Sequence, residues 1–292
     1  MNNYIVRGTA ANGTVRGYAA VTTELVRDAK KVHGLSPVAS AALGRTLTAA
    51  ALMSRMLDGA SDTITIQIKG DGPLGSIVAI SDSSANVRGY VNNPDVDLPL
   101  NTEGKLDVGK GVGAGYLNII RDLGLKEPYV GYVDLLTGEI ADDIAYYYAY
   151  SEQIPSVVAL GVLVDKDGSI INAGGFVVQL MPGADEEIVD HLERRSMEIP
   201  MVTELLSQGK TPEDMLEFLL GEKGLHIADT SPCRFQCNCS RERMERNILS
   251  LGRKEIQEII DEQGEAEVQC HFCNTKYLFS KKDLTDLLEI QK

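Results

Sequence analysis

The feature that most constrains this 292-residue chain is that all five of its cysteines lie in the last 60 residues. Four of them form two close pairs, a CxC motif and a CxxC motif separated by 30 residues, and the fifth precedes the CxC motif. In chain order they are Cys233, Cys237, Cys239, Cys270 and Cys273. In a reducing cytosol, thiols clustered in this way indicate metal or redox chemistry rather than a framework of structural disulfides.

Two close pairs of thiols match the ligand set of a tetrahedral zinc site. A segment of about 60 residues has little core of its own, so a bound metal would supply much of its folding free energy. The CxxC spacing is familiar from zinc knuckles, whereas the single residue inside the CxC motif makes joint coordination more strained. The pattern predicts a site that can release its metal, with the ligands Cys237, Cys239, Cys270 and Cys273.

Several alternatives stay open at this stage. A zinc ribbon of this spacing is commonly structural. Cys233 could be an alternative ligand or a resolving thiol, although a spare cysteine is the simpler interpretation, and His271 is better explained as a surface residue than as a fifth ligand. A basic run beside the CxC motif could favour thiolates, bind nucleic acid or form a solvated helix face; it includes Arg241, Arg243, Arg246 and Arg253.

Composition divides the chain into three predicted regions. Residues 1–180 contain alternating apolar runs joined by short Gly- or Asp-rich turns, which predicts a mainly antiparallel sheet interrupted by helices. Residues 181–231 carry 12 acidic and four basic residues and show short apolar stripes typical of helices that are marginal alone. We therefore expect an α+β fold with a mixed α/β core domain (1–180), an acidic short-helix linker region (181–231) and a small zinc-binding redox-switch domain (232–292).

The core domain is expected to hold its elements in a definite order. Ile64, Ile66 and Ile68 alternate along one side of a strand at 63–69, and Ser36-Pro37 opens a helix that extends to Leu57. A second helix is predicted at 139–152, and the glycine-rich run 109–115 is predicted to be a flexible turn rather than a nucleotide-binding loop. The other predicted strands are 76–80, 86–91, 116–120, 129–133, 157–164 and 170–178.

Net charge and hydropathy exclude several classes of function. The formal charge of −14 disfavours a general nucleic-acid binder, because phosphate binding draws its energy from Lys and Arg. No apolar run approaches the roughly 20 residues that span a bilayer, and the first 18 residues lack the apolar region of a signal peptide. We expect a cytoplasmic protein that does not bind membranes. No nucleophile is paired with a base in the sequence, so we do not expect an enzyme.

Two segments carry a resemblance to a known family. FQCNCSRER, from Phe235 to Arg243, and VQCHFCNTKY, from Val268 to Tyr277, resemble the heat shock protein 33 family of redox-regulated bacterial chaperones, also called 33 kDa chaperonins. The resemblance extends over the whole chain. It implies that the four cysteines bind one Zn²⁺ per chain in a reduced, inactive state. It also implies that oxidation releases the zinc and forms the disulfides Cys237–Cys239 and Cys270–Cys273.

The resemblance further implies how the protein acts. The oxidised protein would unfold its linker, bind unfolded or aggregation-prone client proteins without ATP as a homodimer, and later pass them to ATP-driven chaperone systems. This would protect a cell against oxidative and heat stress. Cys233 departs from the family pattern, which leaves the first disulfide less secure than the second. The alternative is a constitutive zinc-ribbon binding module without redox switching.

Overall fold

The computed structural model describes residues 3–290 and has the α+β class that the sequence predicts, with mainly antiparallel sheets. The chain forms two compact units, Met1–Gln236 and Cys237–Lys292. Among the described residues, no helix is both long enough and apolar enough to span a membrane.

The first unit contains two large sheets and seven α-helices within the described residues. Its strands are β1 (Tyr4–Ala10), β2 (Val15–Val21), β3 (Thr63–Gly70), β4 (Ser76–Asp82), β5 (Asn86–Val91), β6 (Gly115–Asp122), β7 (Tyr129–Asp134), β8 (Ser156–Val164), β9 (Ile170–Leu180), β10 (His226–Pro232) and β11 (Arg234–Phe235). Its helices are α1 (Thr23–His33), α2 (Pro37–Ser54), α3 (Val108–Val112), α4 (Ala141–Tyr150), α5 (Glu186–Glu198), α6 (Val202–Ser207) and α7 (Pro212–Leu220).

One sheet has five strands in the order β10-β1-β2-β9-β8, and the other has six in the order β11-β5-β4-β3-β6-β7. Every pairing in the two sheets is antiparallel except that of β11 with β5, which is parallel. All seven strands predicted from the sequence are present, and so are the two predicted helices of the core domain. The prediction for the glycine-rich run 109–115 was wrong. Most of this run lies in helix α3 and not in a flexible turn.

Helix α2 forms the core of the first unit and contacts strands of both large sheets. The Ser36 side chain accepts a hydrogen bond from the Ala39 N–H at 3.2 Å, and Pro37 occupies the first turn, so the sequence signals that predict its start are confirmed. Sixteen of its 18 residues are buried. A helix that is apolar on all sides has to be enclosed, and here its small alanine side chains allow both sheets to approach closely.

Helices α5, α6 and α7 form a layer on the other face of the five-stranded sheet, which we call the helical layer. Alternate residues of β2 and β9 face α2 on one side and the helical layer on the other. Glycines on the sheet make room for it, because a Cβ at Gly17 would lie 2.9 Å from Cδ2 of Leu216. The short helices that are marginal by themselves are therefore supported by this sheet, which they cover with Leu192, Val202, Leu205, Leu206, Met215, Leu216, Leu219 and Leu220.

The second unit contains a hairpin and three helices among its described residues. They are α8 (Arg241–Leu249), α9 (Arg253–Glu262), β12 (Glu265–Gln269), β13 (Lys276–Ser280) and α10 (Lys281–Ile290). The expectation that this region has little core of its own is corrected here. Eight apolar side chains are buried together: Met244, Ile248, Ile256, Ile260, Phe279, Leu284, Leu287 and Leu288.

Candidate metal centre

The four predicted ligands come from two loops of the second unit. Cys237 and Cys239 lie in the segment just before helix α8, whose first turn is capped by Ser240 accepting a hydrogen bond from the Arg243 N–H at 3.3 Å. Cys270 and Cys273 lie in the turn that joins β12 to β13. This turn is held by the Asn274 N–H, which donates to the Cys270 carbonyl at 2.8 Å.

The turn requires an unusual backbone conformation at one residue. Asn274 has a φ of +57°, in the left-handed region that asparagine tolerates better than most residues. The Cys270 N–H donates to the Thr275 carbonyl at 3.0 Å and closes the loop. The geometry of the hairpin thus places both thiols of the CxxC motif on the same side as the CxC motif.

The structure brings all four predicted sulfurs together, with every Sγ within 4.8 Å of the others. Two close contacts join one motif to the other, Cys237 Sγ to Cys270 Sγ at 3.7 Å and Cys239 Sγ to Cys273 Sγ at 3.3 Å. Sulfurs bound to one tetrahedral zinc at about 2.3 Å lie about 3.8 Å apart, so the donor set and the spacing fit such an ion. The four cysteines could hold a metal ion, and the disulfide pairing stays a prediction.

Two hydroxyl groups that the sequence analysis does not single out lie against the sulfurs. Tyr277 Oη lies 3.1 Å from Cys239 Sγ, and Thr275 Oγ1 lies 3.2 Å from Cys273 Sγ. Groups in this position orient metal ligands and adjust their basicity. Both residues closely follow the CxxC motif, which is the only sequence signal that could have indicated them.

The environment of the site shifts the acidity of Cys237, Cys270 and Cys273 in different directions. Burial raises the pKa of the Cys237 thiol and, more weakly, that of Cys270. Burial acts in the same direction on Cys273, but its hydrogen bonds with Thr275 and Cys239 outweigh it and lower the pKa to about 7. Because the thiolate is both the metal ligand and the nucleophile, Cys273 is better prepared for either role near neutral pH than Cys237 or Cys270.

Three of the four arginines in the basic run make contacts inside the second unit. Arg241 pairs with Asp283 at 3.1 Å and lies 4.3 Å from the centre of the Phe279 ring. Arg243 donates to the Asn238 side chain at 2.7 Å, and Arg253 donates to the backbone carbonyl of Leu288 at 2.6 Å. These three guanidinium groups contact other parts of the second unit, which argues against a free nucleic-acid surface and also differs from the purely solvated helix face that the sequence analysis offered.

The fifth cysteine belongs to the first unit. Cys233 lies between β10 and β11, where it is buried in the core around α2, and its Sγ is 3.9 Å from the Val21 carbonyl. Burial raises the pKa of this thiol to about 12. This environment suits a structural cysteine rather than a ligand or a resolving thiol. His271 is exposed and lies outside the group of four sulfurs, as the sequence analysis favours.

Comparison with known proteins gives a consistent result over the whole chain. The family model described as Hsp33 protein matches residues 3–280. The 33 kDa chaperonin of Acetivibrio thermocellus is 60% identical, with 99% of this chain and 98% of that protein covered, and that of Ruminiclostridium cellulolyticum is 59% identical, with 99% of each covered.

A solved structure leads to the same family. The crystal structure of the 33 kDa chaperonin from Thermotoga maritima matches with a TM-score of 0.92 at 42% identity, covering 100% of this chain and 99% of that one. Both the sequence and the fold therefore place this chain in the Hsp33 family.

Proposed function

We propose that this protein is a redox-regulated, ATP-independent chaperone that holds unfolding proteins. The observation that carries the proposal is the group of four cysteine sulfurs within 4.8 Å of one another, in a family whose members are named chaperonins. The chain acts as a binding protein rather than as an enzyme. It works in the cytoplasm, forms a homodimer when oxidised, and passes its clients to ATP-driven chaperones.

In the reduced state, the thiolates of Cys237, Cys239, Cys270 and Cys273 hold one Zn²⁺. The bound ion supplies a link between the CxC loop and the hairpin turn, which adds folding free energy to residues 232–292. Oxidation joins the sulfurs in two disulfides, which the family resemblance assigns as Cys237–Cys239 and Cys270–Cys273. Four electrons pass from the thiolates to two molecules of peroxide, which become water or hydroxide, and the site loses its anionic donors and releases the ion.

In this proposal, clients bind the sheet face that the helical layer covers, and this layer lies within the predicted linker 181–231. Undocking the layer would uncover the part of the five-stranded sheet that contains Val6, Val15 and Phe176, all fully buried at present. Exposed apolar area of this kind binds the exposed cores of unfolding proteins. The excess of acidic side chains in the linker promotes undocking by mutual repulsion and keeps the complex soluble.

The chain itself connects the helical layer to the sulfurs. After α7 it forms β10 against β1 and then β11 against β5, and the Gln236 N–H donates to the Val87 carbonyl at 2.7 Å. Cys237 is the next residue. A change in the CxC loop can therefore act on the end of β11 through the single intervening residue, Gln236.

The experiment that tests the proposal is light scattering of a chemically unfolded client diluted into this protein. Zinc-loaded reduced protein is compared with protein treated with peroxide at a mildly elevated temperature, and zinc release is followed with a chromogenic chelator. We expect suppression of aggregation only after oxidation, in step with zinc release. Equal suppression in both states would remove the redox regulation, and no suppression in either state would reject the chaperone function.

One observation favours the alternative of a constitutive zinc-ribbon module. The second unit has eight buried apolar side chains of its own, which would help it to keep its fold without a metal. Hydrogen exchange separates the two proposals. Protection of α8–α10 and of the helical layer that is unchanged by peroxide and zinc loss would support the constitutive module.

A further inference from the structure

Strand β7 forms an edge of the six-stranded sheet and pairs only with β6 among the described residues. An edge strand presents a row of unpaired N–H and C=O groups. Its outward side chains are apolar and exposed, with Val130 at 54% and Tyr132 at 53% of full exposure. Exposed apolar side chains are also found on either side of the strand in sequence, with Leu125 at 71% and Leu136 at 60% of full exposure.

The other edges of the two large sheets are protected more fully than that of β7. Strand β8 packs against three helices, α2, α4 and α6, whereas β7 packs mainly against α4, and β11 is only two residues long. Strand β10 ends in Pro232 and carries Asp229, which is paired with Arg7 at 2.7 Å. Natural proteins guard edges with cover, charge, proline or short length. The β7 sequence YVGYVD contains no proline or lysine, and its only charge is at its last residue.

The edge is also held rigid from behind. Helix α4 packs so closely against β7 that a Cβ at Gly131 would lie 2.5 Å from Cε2 of Tyr147. On the outward face, the rings of Tyr132 and Tyr116 lie 5.4 Å apart and extend the apolar surface to β6. Because β7 is already held in place by α4, binding a partner strand would cost it little conformational entropy.

We propose that the free edge of β7 binds one extended, apolar and basic segment of an unfolding client by strand addition, an inference that rests on the proposed chaperone function. Main-chain hydrogen bonds require the ligand to be extended, and they accept almost any sequence. Alternate side chains of the ligand would lie beside Val130 and Tyr132. The exposed acids Asp122, Glu127 and Asp134 lie near the edge, where the basic residues are Lys126 and Arg121. Because Arg121 is already paired with Glu152 at 3.2 Å, the unpaired charge near the edge is mainly negative and favours a basic ligand.

Strand β7 lies in the six-stranded sheet, at the edge opposite β11, and not in the five-stranded sheet that the helical layer covers. The undocking in the proposed function leaves this edge unchanged, so we expect peptide binding at β7 to be independent of oxidation. A single added strand makes few hydrogen bonds and captures a client weakly. Firm holding requires the additional sheet face under the helical layer, which explains how an open edge is compatible with a regulated chaperone.

The test uses the full chain and a nine-residue peptide that alternates Val or Tyr with Lys or Thr. We expect the peptide to slow amide exchange in 129–134 and not in 226–232, equally in reduced and oxidised protein. An analogue N-methylated at two adjacent central residues should bind at least about fivefold more weakly. One of the two methyl groups replaces an N–H of the peptide that points toward β7, so at least one main-chain hydrogen bond is lost. The variant Val130→Lys/Tyr132→Lys should show a similar loss from cross-strand contacts and charge repulsion.

The matched control is Thr230→Lys, which adds a charge at an exposed position on the edge strand β10. It should bind the peptide as the unchanged protein does, and circular dichroism confirms that each variant is folded. Equal binding of the N-methylated analogue, or protection on another strand, would overturn the proposal. Protection of 129–134 that rises with protein concentration in the absence of peptide would also overturn it, because the edge would then join two copies of this chain.

The light-scattering assay separates this inference from the proposed function. If oxidised protein and its Val130→Lys/Tyr132→Lys variant suppress aggregation equally, the chaperone function stands and the edge is not a client site. If oxidised protein does not suppress aggregation, the proposed function fails, while the peptide measurement still decides whether β7 binds an extended segment.

Discussion

Replacing Leu216 with alanine should release the helical layer without altering a cysteine. Leu216 is fully buried in α7 and packs against the backbone at Gly17, so the truncation leaves a cavity between helix and sheet. Leu→Ala changes at such sites cost about 2–5 kcal/mol. If the substitution destabilises the docked state of α7 by about 3 kcal/mol, the ratio of molecules with α7 undocked to molecules with α7 docked rises about 150-fold.

The assay is light scattering with zinc-loaded, reduced protein and no oxidant, combined with hydrogen exchange. We expect Leu216→Ala to suppress client aggregation in this state and to show faster exchange across 186–220. The control is Leu47→Ala, which creates a similar cavity in α2 between the two sheets. Leu47 does not contact the helical layer, so this variant should lose global stability and stay inactive when reduced.

Two results would refute the reasoning behind this experiment. If 186–220 exchanges rapidly in Leu216→Ala but aggregation is not suppressed, the uncovered sheet face is not the client surface. If Leu47→Ala becomes active to the same extent, general destabilisation explains the effect and the helical layer has no special role.

Three further predictions concern single side chains. Cys237→Ser and Cys270→Ser should each reduce the zinc content measured by elemental analysis well below one ion per chain, and a full complement would contradict the ligand assignment. Cys233→Ser should keep its zinc, and in native protein at pH 8 Cys233 should resist iodoacetamide, because a pKa of about 12 leaves roughly one thiolate in ten thousand. Burial and the hydrogen bond to Glu213 raise the pKa of Tyr4 to about 12, so its contribution to stability should be complete below pH 10 and lost as pH rises through 12. Denaturant titrations should show a smaller loss of stability between pH 10 and 12 in Tyr4→Phe than in the unchanged protein, and an equal loss in both would contradict the assignment to Tyr4.

Strong local periodicity explains which elements were predictable. Ile64, Ile66 and Ile68 alternate on a half-buried strand, and all three are buried in the structure. Ser36 and Pro37 carry a cap and a first-turn signal that need no tertiary context. Patterns of this kind predict an element wherever local preference and tertiary packing agree.

The elements absent from the sequence analysis depend on distant contacts. Glycines at 8 and 17 weaken the strand signal of β1 and β2, yet Gly17 is needed because Leu216 of α7 approaches the backbone there. Helix α3 has the sequence VGKGV, with little helix propensity of its own. The Asp107 side chain caps it, and Glu139 accepts a hydrogen bond from the Gly109 N–H at 3.0 Å across 30 residues of sequence.

The candidate metal centre was likewise predictable in part, from local spacing, and in part not. Spacing alone predicted which four sulfurs meet, because few arrangements other than a shared metal or redox centre place two thiol pairs in so short a segment. Because the second unit is small, the sequence analysis underestimated how many apolar side chains it buries. Ile248, Ile256 and Leu284 come from three separate short helices, and only the fold shows that their apolar stripes converge.

In the proposed mechanism, β10 and β11 connect a change at the sulfurs to the undocking of the helical layer. Each strand lies at the edge of its sheet and pairs with a single neighbour, β10 with β1 and β11 with two residues of β5. Segments with few partners open at a low free energy, well below that of global unfolding. Between them, the Cys233 side chain is buried in the core around α2. The segment that links Cys237 to α7 is therefore held by two edge strands and by this one buried side chain. In the proposed mechanism, loss of the sulfur cluster acts on a junction that few strand partners hold and leaves the core around α2 intact.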